Sequence, residues 1–285
     1  MNFKTWLIGA RVKTLPAAVS PVLVGTALAG MDRHWLRALL ALFVSLSLQI
    51  AVNFANDYSD GVRGTDENRV GPTRLVAGGL APAGAVKRAA QICFLVAAIA
   101  GGVLAAQTSY WLLVVGVIAI AAAWFYTGGS NPYGYLGFGE ISVFIFFGLV
   151  ATMGTYYVQS EQVTLLSFIA AIPMGALSCA ILMINNLRDR AQDELVGKRT
   201  LAVRIGDRAG KRVFILLILL AHLAALATLT PFAVFTLLIA PLSFDLARSV
   251  GLVTEREAFI PLLGKAGRLQ LVFAVGLSAA LWLST

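Results

Sequence analysis

The stretch NFANDYSDGVRGTDENRVGPTR, residues 53–74, follows a long apolar run and abruptly brings four acids (Asp57, Asp60, Asp66, Glu67) and three arginines (Arg63, Arg69, Arg74). A second stretch, NNLRDRAQDELVGKRTLAVR at residues 185–204, repeats the theme. Around these two polar islands the chain is greasy. Of its 285 residues 59% are hydrophobic and only 13% are charged, and the mean hydropathy is +0.82. Soluble domains sit nearer a half and a quarter, so the composition defines an all-α polytopic membrane protein. At about 20 residues per span, the length allows roughly eight to ten crossings and leaves no room for a soluble domain. The whole chain, 1–285, reads as a single transmembrane unit.

Breaks at charges, Gly and Pro divide the chain into nine apolar segments: 15–31, 35–56, 87–106, 109–127, 138–158, 164–187, 212–229, 231–247 and 267–284. Residues 2–13 read as a short amphipathic entry helix, with Trp6 and Leu7 apolar and Lys4, Arg11 and Lys13 basic. With the N-terminus in the cytoplasm and alternating spans, 20 of the 22 Lys and Arg fall on one side, leaving only Arg33 and Arg37 opposite. That asymmetry predicts cytoplasmic motif segments and an external C-terminus. It also accounts for the net charge of +8 without nucleic acid. Cys93 and Cys179 lie in apolar runs with no metal-binding spacing. The two motif loops, about 57–86 and 188–211, are long for a compact bundle, which favours function over mere connection.

At about 100° per residue, Asn53, Asn56, Asp57 and Asp60 share one helical stripe. Asn185, Asn186, Asp189 and Asp193 form another. The Asn56–Asp60 spacing equals Asn185–Asp189, and the pairs lie 129 positions apart, a hint of internal duplication. Carboxylates at a membrane boundary pay desolvation unless a cation or water satisfies them. Oxygen donors without His or Cys suit Mg2+, which keeps water and substrate phosphate among its ligands. Two such stripes, with Arg63, Arg69, Arg74, Lys198, Arg199 and Arg204 nearby, suit a Mg2+–diphosphate. An isoprenoid would need apolar and aromatic walls, for which Trp124, Phe125, Tyr126, Tyr133, Phe138, Phe144, Phe146, Phe147, Tyr156 and Tyr157 are the candidates. Glu140 opens the fifth segment, placed to orient a substrate or act as a base. Set against these readings, an acid at a helix end is often only a cap, and a basic loop often only a topology signal.

Asn56-Asp57-Tyr58-Ser59-Asp60 and Asp189 through Asp193 resemble the two acidic motifs of the UbiA-type superfamily of intramembrane prenyltransferases. Where the superfamily has its last motif Asp, this chain has Gly64, and the next acid is Asp66. Gly64-Thr65-Asp66 and Arg69-Val70-Gly71-Pro72-Thr73-Arg74 are similar to the 1,4-dihydroxy-2-naphthoate polyprenyltransferase branch of menaquinone synthesis. Lys13-Thr14-Leu15-Pro16, Tyr126-Thr127-Gly128-Gly129 with Pro132-Tyr133-Gly134-Tyr135, and Gly197 through Arg204 extend the likeness over nearly the whole chain. The resemblance implies nine transmembrane helices around a central cavity open to the cytoplasm and to lipid, in a cell (inner or plasma) membrane. It implies Mg2+ held by Asn56, Asp60, Asp189 and Asp193, with Asp57 and Asp66 assisting catalysis. Substrate contacts are expected from Asn53, Arg63, Arg69, Arg74, Tyr126, Tyr133, Glu140, Asn185, Lys198, Arg199 and Arg204. The substrates would be polyprenyl diphosphate and 1,4-dihydroxy-2-naphthoate. A 4-hydroxybenzoate or other aromatic acceptor on the same fold, and a membrane transporter, stand as alternatives.

Overall fold

The computed structural model describes residues 3–66 and 70–284, and among them every regular element is a helix. The chain enters through α1 (Phe3–Ala10) and α2 (Pro16–Ala27). The apolar pair Phe3–Thr14 and Pro16–Ala27 is bent by 54°; Arg11, with φ 51°, ends α1 in the left-handed region, and Pro16 opens α2 where a missing N–H costs nothing. Trp6 packs edge-on against Phe54 of the next helix, with ring centroids 5.7 Å apart. Then follow α3 (Trp35–Arg63), α4 (Ala83–Gln107), α5 (Trp111–Phe125) and α6 (Gly139–Ser160). The second half holds α7 (Leu165–Leu195), α8 (Leu201–Leu226), α9 (Ala233–Leu252) and α10 (Phe259–Trp282). Seven of these helices are long and apolar enough to cross a bilayer, and the bent entry pair makes an eighth. At 15 residues, α5 spans only about 22 Å, short of a hydrocarbon core of about 30 Å. Among the described residues the nine segments thus correspond to seven helices of spanning length, the bent entry pair and the short apolar helix α5.

The helices overrun the segments read from hydropathy. With 29 residues, α3 runs through the first motif to Arg63, and α7, with 31, runs through Asp193 to Leu195. The expected loop at 188–211 is thus a correction: only residues 196–200 separate α7 from α8. Charges end an apolar window but not a helix, because the backbone hydrogen bonds continue whatever the side chains carry. Each motif rides on helical turns that project past the apolar slab.

The central helix is α7, packed against α2, α6, α8 and α10. Its Met174, Met183 and Ile184 meet Val24, Phe214 and Phe273 in the main core. A Cβ added to Gly148 of α6 would lie 2.5 Å from Gly175 Cα on α7, so these helices touch backbone to backbone, as small residues permit inside membranes. A second core joins α3 and α4 through Ala51, Phe54, Val86 and Phe94. On α8, Ile215, Leu216, Leu219 and Leu223 face outward, an exposed apolar stripe at helical spacing that suits lipid.

Candidate functional site

A cavity of about 410 Å³ lies between α2, α3, α4, α5, α6 and α7. Most of its wall is apolar: Leu48, Val52, Ile120, Phe146, Phe147 and Ile181 line it. Four glycines, Gly101, Gly102, Gly116 and Gly154, also face it. Its polar lining includes Arg11, Asn53, Asn56, Tyr126, Tyr133 and Asn185. Asp60 and Asp189 lie one helical turn beyond Asn56 and Asn185 and are not among the lining residues.

Each stripe residue has its own partner. Asn53 is buried and donates to the Ala10 carbonyl at 2.9 Å, tying the entry bend to α3. Asn56 Oδ1 accepts from the Thr127 hydroxyl at 2.8 Å. Asp57 is turned to the loop instead: its two oxygens accept the backbone N–H of Leu75 and of Val76, at 2.8 and 2.9 Å. Asp60 Oδ1 accepts from the Tyr135 hydroxyl at 2.7 Å, and Oδ2 lies 3.4 Å from Lys198 Nζ. On α7, Asp193 Oδ1 stands 3.9 Å from the same ammonium. Asp189 is held by its neighbour Arg188, whose Nε and Nη2 donate to its two oxygens at 2.8 and 2.7 Å.

Arg188 is a member the sequence reading left out of the candidate set. It is 1% exposed, and its backbone carbonyl accepts from Arg256 Nε at 3.1 Å. A Cβ on Gly71 (φ 146°) would lie 3.3 Å from its guanidinium carbon, so the Gly71-Pro72 turn closes over it. Burial of so large a charge beside a carboxylate is a tertiary fact, invisible in the spacing. Tyr135 carried part of the family likeness but was likewise outside the candidate set. Its hydroxyl reaches Asp60 and its ring lies 4.9 Å from Lys198 Nζ and 5.4 Å from the Arg63 guanidinium.

Several loop residues have structural partners. Arg63 donates to the Thr127 and Gly129 carbonyls, strapping the glycine-rich link to the end of α3. Arg74 Nε pairs with Asp66 at 3.1 Å, both side chains largely buried. Gly64, where the wider motif has an acid, ends α3 with φ 74°. An acid there would pay for a left-handed backbone that glycine adopts freely. Arg199 and Arg204 are exposed, and Arg204 Nε donates to the Arg199 carbonyl at 3.2 Å. Arg69 and Glu67 lie outside the described residues.

Of the aromatic candidates, Tyr126, Tyr133, Phe146 and Phe147 line the cavity, the two tyrosines edge-to-face at 5.5 Å. Tyr133 is oriented by hydrogen bonds to the Ala122 carbonyl and Ser142, each 2.8 Å. Phe125 and Phe138 are exposed, while Trp124 packs between Tyr58 and Phe94. Asn185 lines the cavity and donates to the Ile181 carbonyl at 3.2 Å. Glu140 Oε1 accepts from Asn186 at 2.9 Å, and its buried Oε2 has no hydrogen-bond partner among the described residues.

Burial works against the Lys198 charge, but Asp60 and Asp193, then Tyr135 and Asp66, outweigh it and hold its pKa above the ordinary lysine value. The ammonium therefore persists. Tyr135 is pushed up by burial and by Asp60, and stays a hydrogen-bond donor. Among the described residues no three His, Cys, Asp or Glu side chains close into a metal cage. Instead Asp60 of α3 and Asp193 of α7 gather a cation between them, with Asn56, held by Thr127, and Asp189, held by Arg188, one turn away on their helices. Such an open set fits Mg2+ completed by water and phosphate.

The model of the UbiA prenyltransferase family matches residues 18–258. A 1,4-dihydroxy-2-naphthoate octaprenyltransferase of Mycobacterium tuberculosis is 45% identical, over 98% of this chain and 97% of its own. The Escherichia coli enzyme of that name is 38% identical, over 98% and 96%. A UbiA homolog from Archaeoglobus fulgidus, solved with DMAPP and Mg2+, superposes with a TM-score of 0.71 over 97% of this chain and 99% of that one. At 13% identity that likeness speaks to the fold.

Proposed function

Because the chain belongs to the UbiA prenyltransferase family, we propose that it transfers a polyprenyl group from polyprenyl diphosphate to 1,4-dihydroxy-2-naphthoate. The products are diphosphate, CO2 and demethylmenaquinol, which oxidises to demethylmenaquinone. Near-full-length relatives carrying that activity in their names support the acceptor. The observation that carries the reading is one of geometry: a carboxylate and ammonium cluster on the same helices as Asn56 and Asn185, which line an apolar cavity. A diphosphate and a hydrocarbon chain are joined in one molecule with that polarity.

In this reading Asn56, Asp60, Asp189 and Asp193 hold Mg2+, with Asp66 and Arg74 bracing the loop beside them. When bound, Mg2+ supplies positive charge to the departing diphosphate. Lys198 adds a donor to the phosphate oxygens. As the C–O bond breaks, the electron pair leaves with diphosphate and an allylic cation remains. The faces of Tyr126, Phe146 and Phe147 suit that cation, and the apolar wall keeps water from capturing it. The ring carbon bearing the carboxylate attacks, forming the C–C bond. Loss of CO2 returns its bonding electrons to the ring and restores aromaticity. We place the site on the cytoplasmic side of a cell membrane, following the distribution of Lys and Arg.

The test is product mass after incubation with 1,4-dihydroxy-2-naphthoate and a series of prenyl diphosphates, with and without EDTA. Prenylated, decarboxylated product that disappears with EDTA is expected, and also with Asp60→Asn or Asp189→Asn. Turnover of 4-hydroxybenzoate in place of the naphthoate overturns the acceptor. Full turnover in EDTA overturns the metal assignment.

A further inference from the structure

The most telling contact is between the two motifs. Lys198 Nζ stands 3.4 Å from Asp60 Oδ2 of α3 and 3.9 Å from Asp193 Oδ1 of α7. Its side chain is 17% exposed and that of Asp60 2%. Placement of the ammonium is built in. The turn at Gly197 returns the chain so that the Lys198 N–H donates to the Asp193 carbonyl at 2.7 Å. The next N–H, of Arg199, donates to the Tyr135 carbonyl at 2.9 Å. The Tyr135 ring flanks the ammonium at 4.9 Å while its hydroxyl occupies the other oxygen of Asp60. Two carboxylates from different helices thus share one internal cation, at the point where the proposed function needs a divalent one.

We infer that Lys198 is the resident counter-cation of the acidic pair, and that a divalent cation binds by displacing it. Two buried carboxylates facing each other repel unless a positive charge lies between them. Lys198 meets that need before substrate arrives and keeps α3 and α7 together at their motif ends. A divalent ion entering between Asp60 and Asp193 takes over both oxygens, and two like charges in that gap repel. The flexible lysine stem lets the ammonium swing out, where the negative charge of the diphosphate awaits it. Metal binding and diphosphate binding are then coupled through one side chain: each makes room for, or holds, the other.

This inference rests on the proposed metal site but not on the acceptor, so its test uses Mn2+ alone, without prenyl diphosphate or naphthoate. Free Mn2+ is followed by electron paramagnetic resonance during titration of the wild type, Lys198→Met and Lys198→Arg in detergent. Removing a charge-assisted contact that Mn2+ must break predicts binding roughly tenfold or more tighter in Lys198→Met, while Lys198→Arg stays near the wild type. Equal or weaker binding in the Met variant overturns the role of Lys198. No saturable binding by any of the three overturns the metal site itself, which keeps the two failures apart. Should Lys198→Met not fold, the wild type carries the test. Labelling of Lys198 by an amine-reactive reagent, read by mass spectrometry, must rise when Mn2+ is added. Unchanged labelling across saturation refutes displacement.

Discussion

Replacing Asp57 by Asn separates a structural carboxylate from the chemical ones beside it. Asp57 is 1% exposed, and its two oxygens accept the N–H groups of Leu75 and Val76 at 2.8 and 2.9 Å. These bonds anchor the start of residues 75–82, whose Leu75 is fully buried in the α3–α4 core. In Asp57→Asn one oxygen remains, as a neutral acceptor, and the other becomes an NH2 facing a backbone N–H. A hydrogen bond to a charged group contributes about 1.5–3 kcal/mol, and an orphaned buried donor costs about 1–3 kcal/mol. Allowing for the overlap of those terms, about 2–4 kcal/mol is lost. At roughly 2–4 °C per kcal/mol for chains of this size, the midpoint of thermal unfolding in detergent falls by roughly 5–15 °C. Mn2+ affinity of the protein still folded stays within about threefold of wild type, since the Asp57 oxygens are directed at the Leu75 and Val76 N–H groups rather than at the Lys198 ammonium that Asp60 and Asp193 share. Asp60→Asn shows a different pattern: Mn2+ binding is lost, and the midpoint falls as well because Tyr135 and Lys198 lose a charged acceptor. An Asp57→Asn protein of wild-type stability that no longer binds Mn2+ refutes the assignment.

Other changes test other parts of the structure. Gly116 and Gly154 line the cavity, and among the described residues no atom beyond their own chain neighbours and helical backbone comes within 4 Å of an added Cβ. Gly116→Phe or Gly154→Phe therefore folds normally but fills the cavity, and product masses shift to shorter prenyl groups; an unchanged chain-length profile removes the cavity from the prenyl path. Arg63→Gln loses the charged donors to Thr127 and Gly129. It should raise KM for prenyl diphosphate several-fold and expose the 127–138 link to protease; a lowered kcat with unchanged KM and unchanged cleavage argues against a strap. Gly175→Val drives a side chain into Phe144, whose ring lies 2.8 Å from the added Cβ. Core overpacking of that kind costs about 1–3 kcal/mol, read as a lower midpoint or loss of the monodisperse peak.

The membrane class, the two acidic motifs and their helical stripes were legible because each is local. Apolar runs report the solvent a helix meets, and residues three and four apart share a face wherever a helix forms. Asp60 and Asp193 could thus be placed at helix ends facing a common site. The family likeness was legible for the same reason, being carried by short runs such as Asn56–Asp60 and Gly197–Arg204. The helix ends were misplaced at 188–211 because hydropathy stops at charges and helical hydrogen bonding does not.

What the sequence determined alone was which side chains stand on one face of one helix. Which face meets what required the fold. Asp57 and Asp60 are three residues apart on the same stripe, yet one caps a loop backbone and the other meets Tyr135 and Lys198. The 53–74 stretch is therefore not a uniform acid face but a loop clamp next to a cation site. Arg188 and Tyr135 joined the site only through burial and packing. The reason is physical: a carboxylate's role is set by the nearest donor or cation, and here these come from residues 75–76, 135 and 198, distances in sequence that no periodicity encodes.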